Sequence, residues 1–170
     1  GSVNNARIEN VGIVGATVTS TNKTGLVGGI VGEAKGSSVL KNLYSEADAS
    51  GNGQISGGQV AGGLVGKMNS GTSLTTSYNA TPVTSGTFAG GGLVGRIEDG
   101  STITDAYNVG TVTAAGSAQK VYGIGYDPGT NVKVTRVYST ADGLDLLEHA
   151  ANVSQSYNFN STASSTNVDV

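Results

Sequence analysis

The sequence predicts an all-β fold, a right-handed parallel β-helix of about five to six coils with three short strands in each. Three observations carry this: a recurring glycine phrase, a fixed offset from that phrase to a tyrosine, and a composition hostile to helices. The phrase is Gly28-Gly29-Ile30-Val31-Gly32, repeated as Gly62-Gly63-Leu64-Val65-Gly66 and Gly91-Gly92-Leu93-Val94-Gly95, with a worn copy at Tyr122-Gly123-Ile124-Gly125-Tyr126. From Ile30 to Tyr44, Leu64 to Tyr78, Leu93 to Tyr107 and Ile124 to Tyr138 the offset is fourteen residues each time, with Leu40, Leu74, Ile103 and Val134 four positions before each tyrosine. A constant offset between two unrelated features marks a structural repeat, which must stack on its neighbours to bury an apolar side. The 28 glycines, the abundant Ser, Thr and Asn, and a charged fraction of only 12% are poor material for helices.

Within a repeat the first strand is centred on Leu64-Val65 and its equivalents, and the second runs from Leu74 to Tyr78. The third is the Thr/Val stretch seen at Thr81-Pro82-Val83-Thr84 and Thr111-Val112-Thr113. Short runs of Val, Ile, Thr and Tyr bounded by Gly and Ser are strand signals. Right-handed winding follows from the preference of β-crossover connections. Successive coils stack at about 4.8 Å, which makes a rod on the order of 25 Å long. Tyr78 lies an even number of positions after Leu74, so an unbroken strand points both to the core, and the tyrosines are expected as an internal ladder.

Repeats run through residues 1–159 as one solenoid domain. At its start Ile8 is the inward residue, Thr17-Val18-Thr19 the third strand, and Gly12 stands where a tyrosine is expected. Residues 142–159 form a degenerate coil and cap, with Gly143-Leu144 as a decayed first strand and a helical turn expected between Asp142 and His149. The Asn, Ser and Thr-rich stretch 160–170 reads as a flexible tail or linker. Gly1-Ser2 resembles an expression remnant rather than a signal peptide, so the chain reads as a monomeric fragment of something longer.

Much chemistry is argued against. A net charge of −3 with nine scattered Lys and Arg gives no footprint for nucleic acid, and no run approaches the roughly 18 apolar residues of a membrane span. Gly62 to Lys67 imitates a phosphate loop, but Ala61 and Met68 occupy positions that need glycine and a hydroxyl. The carboxylates Glu98, Asp99, Asp127, Asp142 and Asp145 do not recur in register, as a calcium roll requires, so no metal and no cofactor is expected. His149 is the single histidine and reads as a solvated cap residue; Glu98 and Asp99, facing Lys67 and Glu33, read as exposed turn charges, so no catalytic residue is expected. The strands Thr17-Val18-Thr19 and Thr111-Val112-Thr113 suggest a flat threonine array, but the equivalent strands carry Ala47-Asp48-Ala49 and Thr81-Pro82-Val83, which break it. The structural repeat residues are Gly29, Leu64, Gly66, Tyr78, Leu93, Gly95, Tyr107 and Tyr138. Length varies only after the tyrosines, so candidate binding loops are Ser50 to Val60, with Ser50, Gln54 and Gln59, and Ala114 to Lys120, with Ser117, Gln119 and Lys120.

The phrase Gly-Gly-Leu-Val-Gly, a turn, an apolar residue and then Ser-Tyr or Ala-Tyr, as in Gly62 to Tyr78 and Gly91 to Tyr107, resembles the GLUG repeat. Tyr126 and Gly12 depart from it, and Gly143 to Tyr157 is eroded. The resemblance implies a secreted or cell-surface bacterial parent. One such parent is a filamentous-haemagglutinin-like adhesin, in which the segment serves as a stalk or display scaffold toward host glycan or matrix protein. The other is an immunoglobulin A metallopeptidase, in which it is a non-catalytic spacer.

Overall fold

The computed structural model describes residues 1–116 and 120–158; Ser117, Gln119, Phe159 and the tail 160–170 lie outside the described residues. The chain winds through four parallel sheets, A to D in the order it visits them, in about four complete turns. The first turn consists of β1 (Ser2–Asn4), β2 (Arg7–Val14), β3 (Thr17–Ser20) and β4 (Leu26–Gly28). The second has β5 (Val31–Lys35), β6 (Val39–Glu46), β7 (Gln54–Gly57) and β8 (Val60–Gly62). The third has β9 (Val65–Met68), a sheet B strand split into β10 (Ser73–Thr75) and β11 (Tyr78–Ala80), then β12 (Val83–Ser85) and β13 (Ala89–Gly91). The fourth has β14 (Val94–Ile97), β15 (Thr102–Asn108), β16 (Val112–Ala114) and β17 (Lys120–Tyr122). Sheet B alone continues, through β18 (Lys133–Ser139), β19 (Val153–Ser154) and β20 (Tyr157–Asn158).

Two sequence expectations are corrected. Each coil has four strands instead of three, because the glycine phrase conceals the sheet D strand: Val60–Gly62 pairs with Ala89–Gly91, and three-residue segments merging into a glycine run give only a weak strand signal. The turns number about four instead of five to six, because the six rungs counted from the tyrosine positions exist in sheet B only, while sheets A, C and D have four strands each. The equivalence behind the interrupted threonine array also changes. Thr17-Val18-Thr19 pairs with Gln54-Ile55-Ser56, while Ala47, Asp48 and Ala49 lie in the preceding connection.

The repeat spacing is kept rung by rung. Tyr44, Tyr78, Tyr107, Tyr138 and Tyr157 are in register, as are Leu40, Leu74, Ile103, Val134 and Val153. The main core lies between sheets A and B and contains Leu40, Leu43, Leu64, Leu74, Leu93, Ile97, Ile103 and Ile124. A smaller core of Val27, Ile55, Ala61 and Val83 lies between sheets C and D. The glycine phrase is there for space. A Cβ on Gly63 would lie 2.1 Å from the Gly92 carbonyl and 2.3 Å from Asn79 Cγ, and one on Gly92 would lie 2.2 Å from Asn108 Cγ. Gly29, Gly66 and Gly95 are similarly crowded, at 2.4 Å from Gly63 O, 2.5 Å from Gly32 O and 2.5 Å from Val60 Cγ1.

The chain ends of this region differ from expectation. The helical turn is a 3-10 turn at Ala150–Asn152, after the Asp142–His149 stretch, and no α-helix occurs among the described residues. Gly143-Leu144 is not a strand; the carbonyls of Asp145 and Leu146 instead accept the N–H groups of Gly123, Ile124 and Gly125. Leu146 and Leu147 thereby cover the core.

Candidate functional site

The tyrosines face outward, against the expectation of an internal ladder. The parity argument assumed an unbroken strand, and sheet B is bent at one position in every rung. Asn10, Asn42, Thr76, Asp105, Arg136 and Gln155 all have φ between 48° and 57°, the left-handed region. One left-handed residue turns the strand through a corner and inverts the alternation after it. Leu43, Ser77, Ala106, Val137 and Ser156, one position on, are therefore buried, and the tyrosines after them lie on the surface. Tyr107, Tyr138 and Tyr157 are 41%, 40% and 38% exposed.

The corner is closed by small polar side chains. Leu43 N–H donates to Ser77 Oγ and Val137 N–H to Ser156 Oγ, so the serine of the Ser-Tyr pair replaces a lost ladder bond. Past the tyrosine, Asn79 and Asn108 are fully buried. Asn79 Nδ2 donates to Asn108 Oδ1 at 2.8 Å and to the Thr81 carbonyl, and Asn108 Nδ2 donates to the Gly110 carbonyl. These amides sit on Gly63 and Gly92, which explains why no Cβ fits there.

On the surface the rings stack. Tyr44 and Tyr78 have centroids 5.5 Å apart, and Tyr78 and Tyr107 4.9 Å apart with an interplanar angle of 2°. Beside the tyrosines, two positions on, runs a second outward column of Val14, Glu46, Ala80, Val109 and Thr140. Between the columns, Tyr107, Val109, Tyr138 and Thr140 line an axial groove of about 310 Å³ above Asn108 and Ser139. Val109 is 49% exposed. Between the Tyr44 and Tyr78 rungs the same gap is bridged, since the Tyr78 hydroxyl donates to the Glu46 carboxylate. That bond, with partial burial, pushes the Tyr78 pKa up to about 12. The ladder ends at Gly12, where a Cβ would lie 1.9 Å from Tyr44 Cζ, so the Tyr44 ring lies over the missing tyrosine. On the other side of the corner, Thr75, Thr104 and Thr135 form a half-exposed threonine column, with Asp105 and Arg136 ion-paired at 2.5 Å beside it.

The candidate binding loops are placed differently. Gln54 opens β7, and the Gln59 backbone bonds to Gly25, Phe88 and Ala89, so most of Ser50 to Val60 is ladder rather than loop. Ser50 lies in a tight turn where the Asp48 carboxylate accepts its N–H and that of Asn52. Lys120 opens β17 and pairs with Glu148 at 2.7 Å; Ser117 and Gln119 lie outside the described residues.

A second feature escaped sequence reasoning because nothing in register signals it. Asp127 is fully buried and accepts N–H groups from Glu148 and His149 and the Asn152 amide, while His149 Nδ1 lies 2.7 Å from the Asp127 carbonyl. Burial pushes the Asp127 carboxyl above the usual range, against these hydrogen bonds. His149 is thus a clasp residue on the terminal coil rather than a freely solvated one.

No protein-family model, no curated protein and no solved structure matches the chain.

Proposed function

We propose that this chain is a rigid segment of an exported bacterial surface protein, a right-handed β-helical display scaffold that holds host glycan chains against its tyrosine face. The observation that carries this reading is the outward, stacked tyrosine column with an open groove at Tyr107, Val109, Tyr138 and Thr140. Large apolar side chains left exposed in one contiguous strip mark a contact surface. Among the described residues, Tyr107, Val109, Tyr138 and Tyr157 form that strip. The C–H face of a pyranose is electropositive at its edge of contact and suits the negative face of a tyrosine ring. Across the corner from the tyrosines, the threonine column and the Asp105–Arg136 pair supply hydroxyl and charged partners for sugar hydroxyls that extend past the tyrosine face. The phrase that resembles the GLUG repeat supports the exported surface context, and the acidic composition argues against polyanionic nucleic acid.

Binding of the purified chain to a glycan array and to immobilised neutral polysaccharides tests this. Tyr107→Ala is expected to weaken binding roughly tenfold, the effect of losing about 1–1.5 kcal/mol of aromatic contact. Tyr44→Ala, at the closed end, is expected to leave affinity within about twofold. Capture of matrix proteins with no glycan binding, or no difference between the two variants, overturns the reading. Absence of any ligand leaves a spacer, the role the segment would have in an immunoglobulin A metallopeptidase.

A further inference from the structure

The stacked turns between sheets A and B carry a second recess, chemically unlike the tyrosine groove. Asn69, Ser70, Arg96, Glu98, Asp99, Pro128 and Gly129 line an open depression of about 590 Å³. It exists because one turn breaks the period. Arg96 is in register with Tyr126, and Thr102 with Lys133, so the fourth turn takes six steps and the next takes seven. The extra residue pushes Pro128-Gly129 outward as a wall. A Cβ on Gly129 would lie 2.0 Å from Asp99 Oδ1, so any larger residue there would displace the Asp99 carboxylate.

The charges inside are organised into ion pairs within and between coils rather than merely exposed at a turn. Glu33, Lys67 and Arg96 stand in one outward register on β5, β9 and β14. Lys67 Nζ and Arg96 Nε both approach Glu98 Oε1, at 3.0 and 2.9 Å. The Arg96 Nε–H is buried and is not aimed at that oxygen, so the contact is an ion pair without a satisfied hydrogen bond. The carboxylate thus holds the guanidinium by charge and leaves its terminal fork without a protein partner among the described residues. Asp99 is exposed, and its Oδ1 accepts the Asn131 N–H, which orients the carboxylate and leaves Oδ2 to the recess. Ser70 adds an exposed hydroxyl.

We infer that this recess is a subsite for a carboxylated pyranose, a uronic or sialic type of sugar. Arg96 takes the ligand carboxylate through its fork, the geometry in which guanidinium binds carboxylate best. Asp99, Ser70 and Asn69 take ring hydroxyls. The lining holds one cation, Arg96, and two carboxylates, and Lys67, outside the lining, offsets Glu98 through their ion pair. With so little net positive charge the recess suits a single ligand carboxylate flanked by hydroxyls rather than a densely charged phosphate or sulfate polymer. The ligand class rests on the reading of the chain as a glycan binder, but the two recesses are formed by different corners of the coil and are tested separately.

Titration of the isotopically labelled chain with a short oligogalacturonide, and with the same oligomer methyl-esterified, decides the matter by NMR. The acid is expected to shift the amides of Asn69, Ser70, Asp99 and Gly129 saturably, and the neutral ester to bind at least about tenfold more weakly. Arg96→Gln is expected to abolish the preference for acid over ester. Arg96→Lys is expected to recover only part of it, and Asp99→Asn to weaken both ligands. Tyr107→Ala is expected to leave these shifts unchanged. Equal binding of acid and ester, shifts confined to other residues, or an Arg96→Gln variant that still prefers the acid overturns the inference. If neutral polysaccharide still binds in a Tyr107-dependent way, that failure leaves the tyrosine-face reading intact.

Discussion

The two halves of the tyrosine ladder share one backbone and differ in what stands beside it. Toward the start, Glu46 accepts the Tyr78 hydroxyl and Tyr44 lies over Gly12, so the space between the two outward columns is bridged. Toward the end, Val109 and Thr140 occupy the Glu46 column, offer no carboxylate, and the groove opens between Tyr107 and Tyr138. The repeat therefore builds a column everywhere, while the side chains standing beside it differ between the bridged Glu46 rung and the open rungs of Val109 and Thr140. A solenoid gains binding sites in this way without changing its core.

The core beneath both halves is the same, and breaking it has the largest expected effect. Ile103→Ala, under the open half, and Leu74→Ala, under the closed half, are each expected to cost roughly 2–5 kcal/mol, since both side chains are fully buried in the A–B core. Denaturant unfolding measures this. A much smaller loss for Ile103→Ala would mean that the open half is also loosely packed, and the comparison would then be one of stability rather than of surface chemistry.

A middle effect is expected at the corner that exposes the tyrosines. Thr76 holds φ at 50°, an unfavourable conformation for a β-branched residue. Thr76→Gly is expected to stabilise the chain by up to about 1 kcal/mol, as removal of the left-handed penalty exceeds the added chain entropy. A loss of stability in a thermal melt would show that the Thr76 side chain contributes contacts the corner needs.

The smallest effect on stability, and the sharpest test of the contrast, comes from Glu46→Gln. Without the carboxylate, the Tyr78 pKa is expected to fall from about 12 toward the ordinary value near 10, readable by ultraviolet titration. A tyrosine raised in the folded state contributes stability that is present below about 10 and is lost as pH rises through the folded value, so the wild type is expected to lose this contribution between about 10 and 12. In Glu46→Gln this contribution is absent at every pH, so the variant is expected to be slightly less stable than the wild type at neutral pH, a small loss because the pair lies near the surface. The difference is expected to close as pH rises from about 10 to about 12. If the variant also binds neutral polysaccharide more tightly, the bridge is what keeps the first half closed; unchanged binding would place the difference in Val109 instead.

Much of the fold was legible because stacking imposes register. The fourteen-residue offset survives as the pairing of Tyr44, Tyr78, Tyr107 and Tyr138, and Leu40, Leu74, Ile103 and Val134 are buried as their spacing requires. Sheet D was hidden inside the glycine phrase, because Val60–Gly62 and Ala89–Gly91 have strand geometry without strand composition. Small residues are selected there by the next coil's approach, and a local pattern does not register a distant backbone.

The sequence by itself determined the repeat, its apolar ladders and its all-β class, since these depend on which residues recur and at what spacing. The tertiary structure decided which way the tyrosines face, because the outcome turns on one backbone angle at Asn42, Thr76, Asp105 and Arg136; Asn and Asp tolerate the left-handed region, but Thr and Arg at the same register position give no such signal. It also decided the recess at Arg96 and the clasp at Asp127, since each arises where one coil departs from the period and no neighbouring repeat announces the departure. Periodic features are written in many positions and can be read from any of them, whereas a feature formed once, by the contact of separate coils, exists only when the coils are stacked.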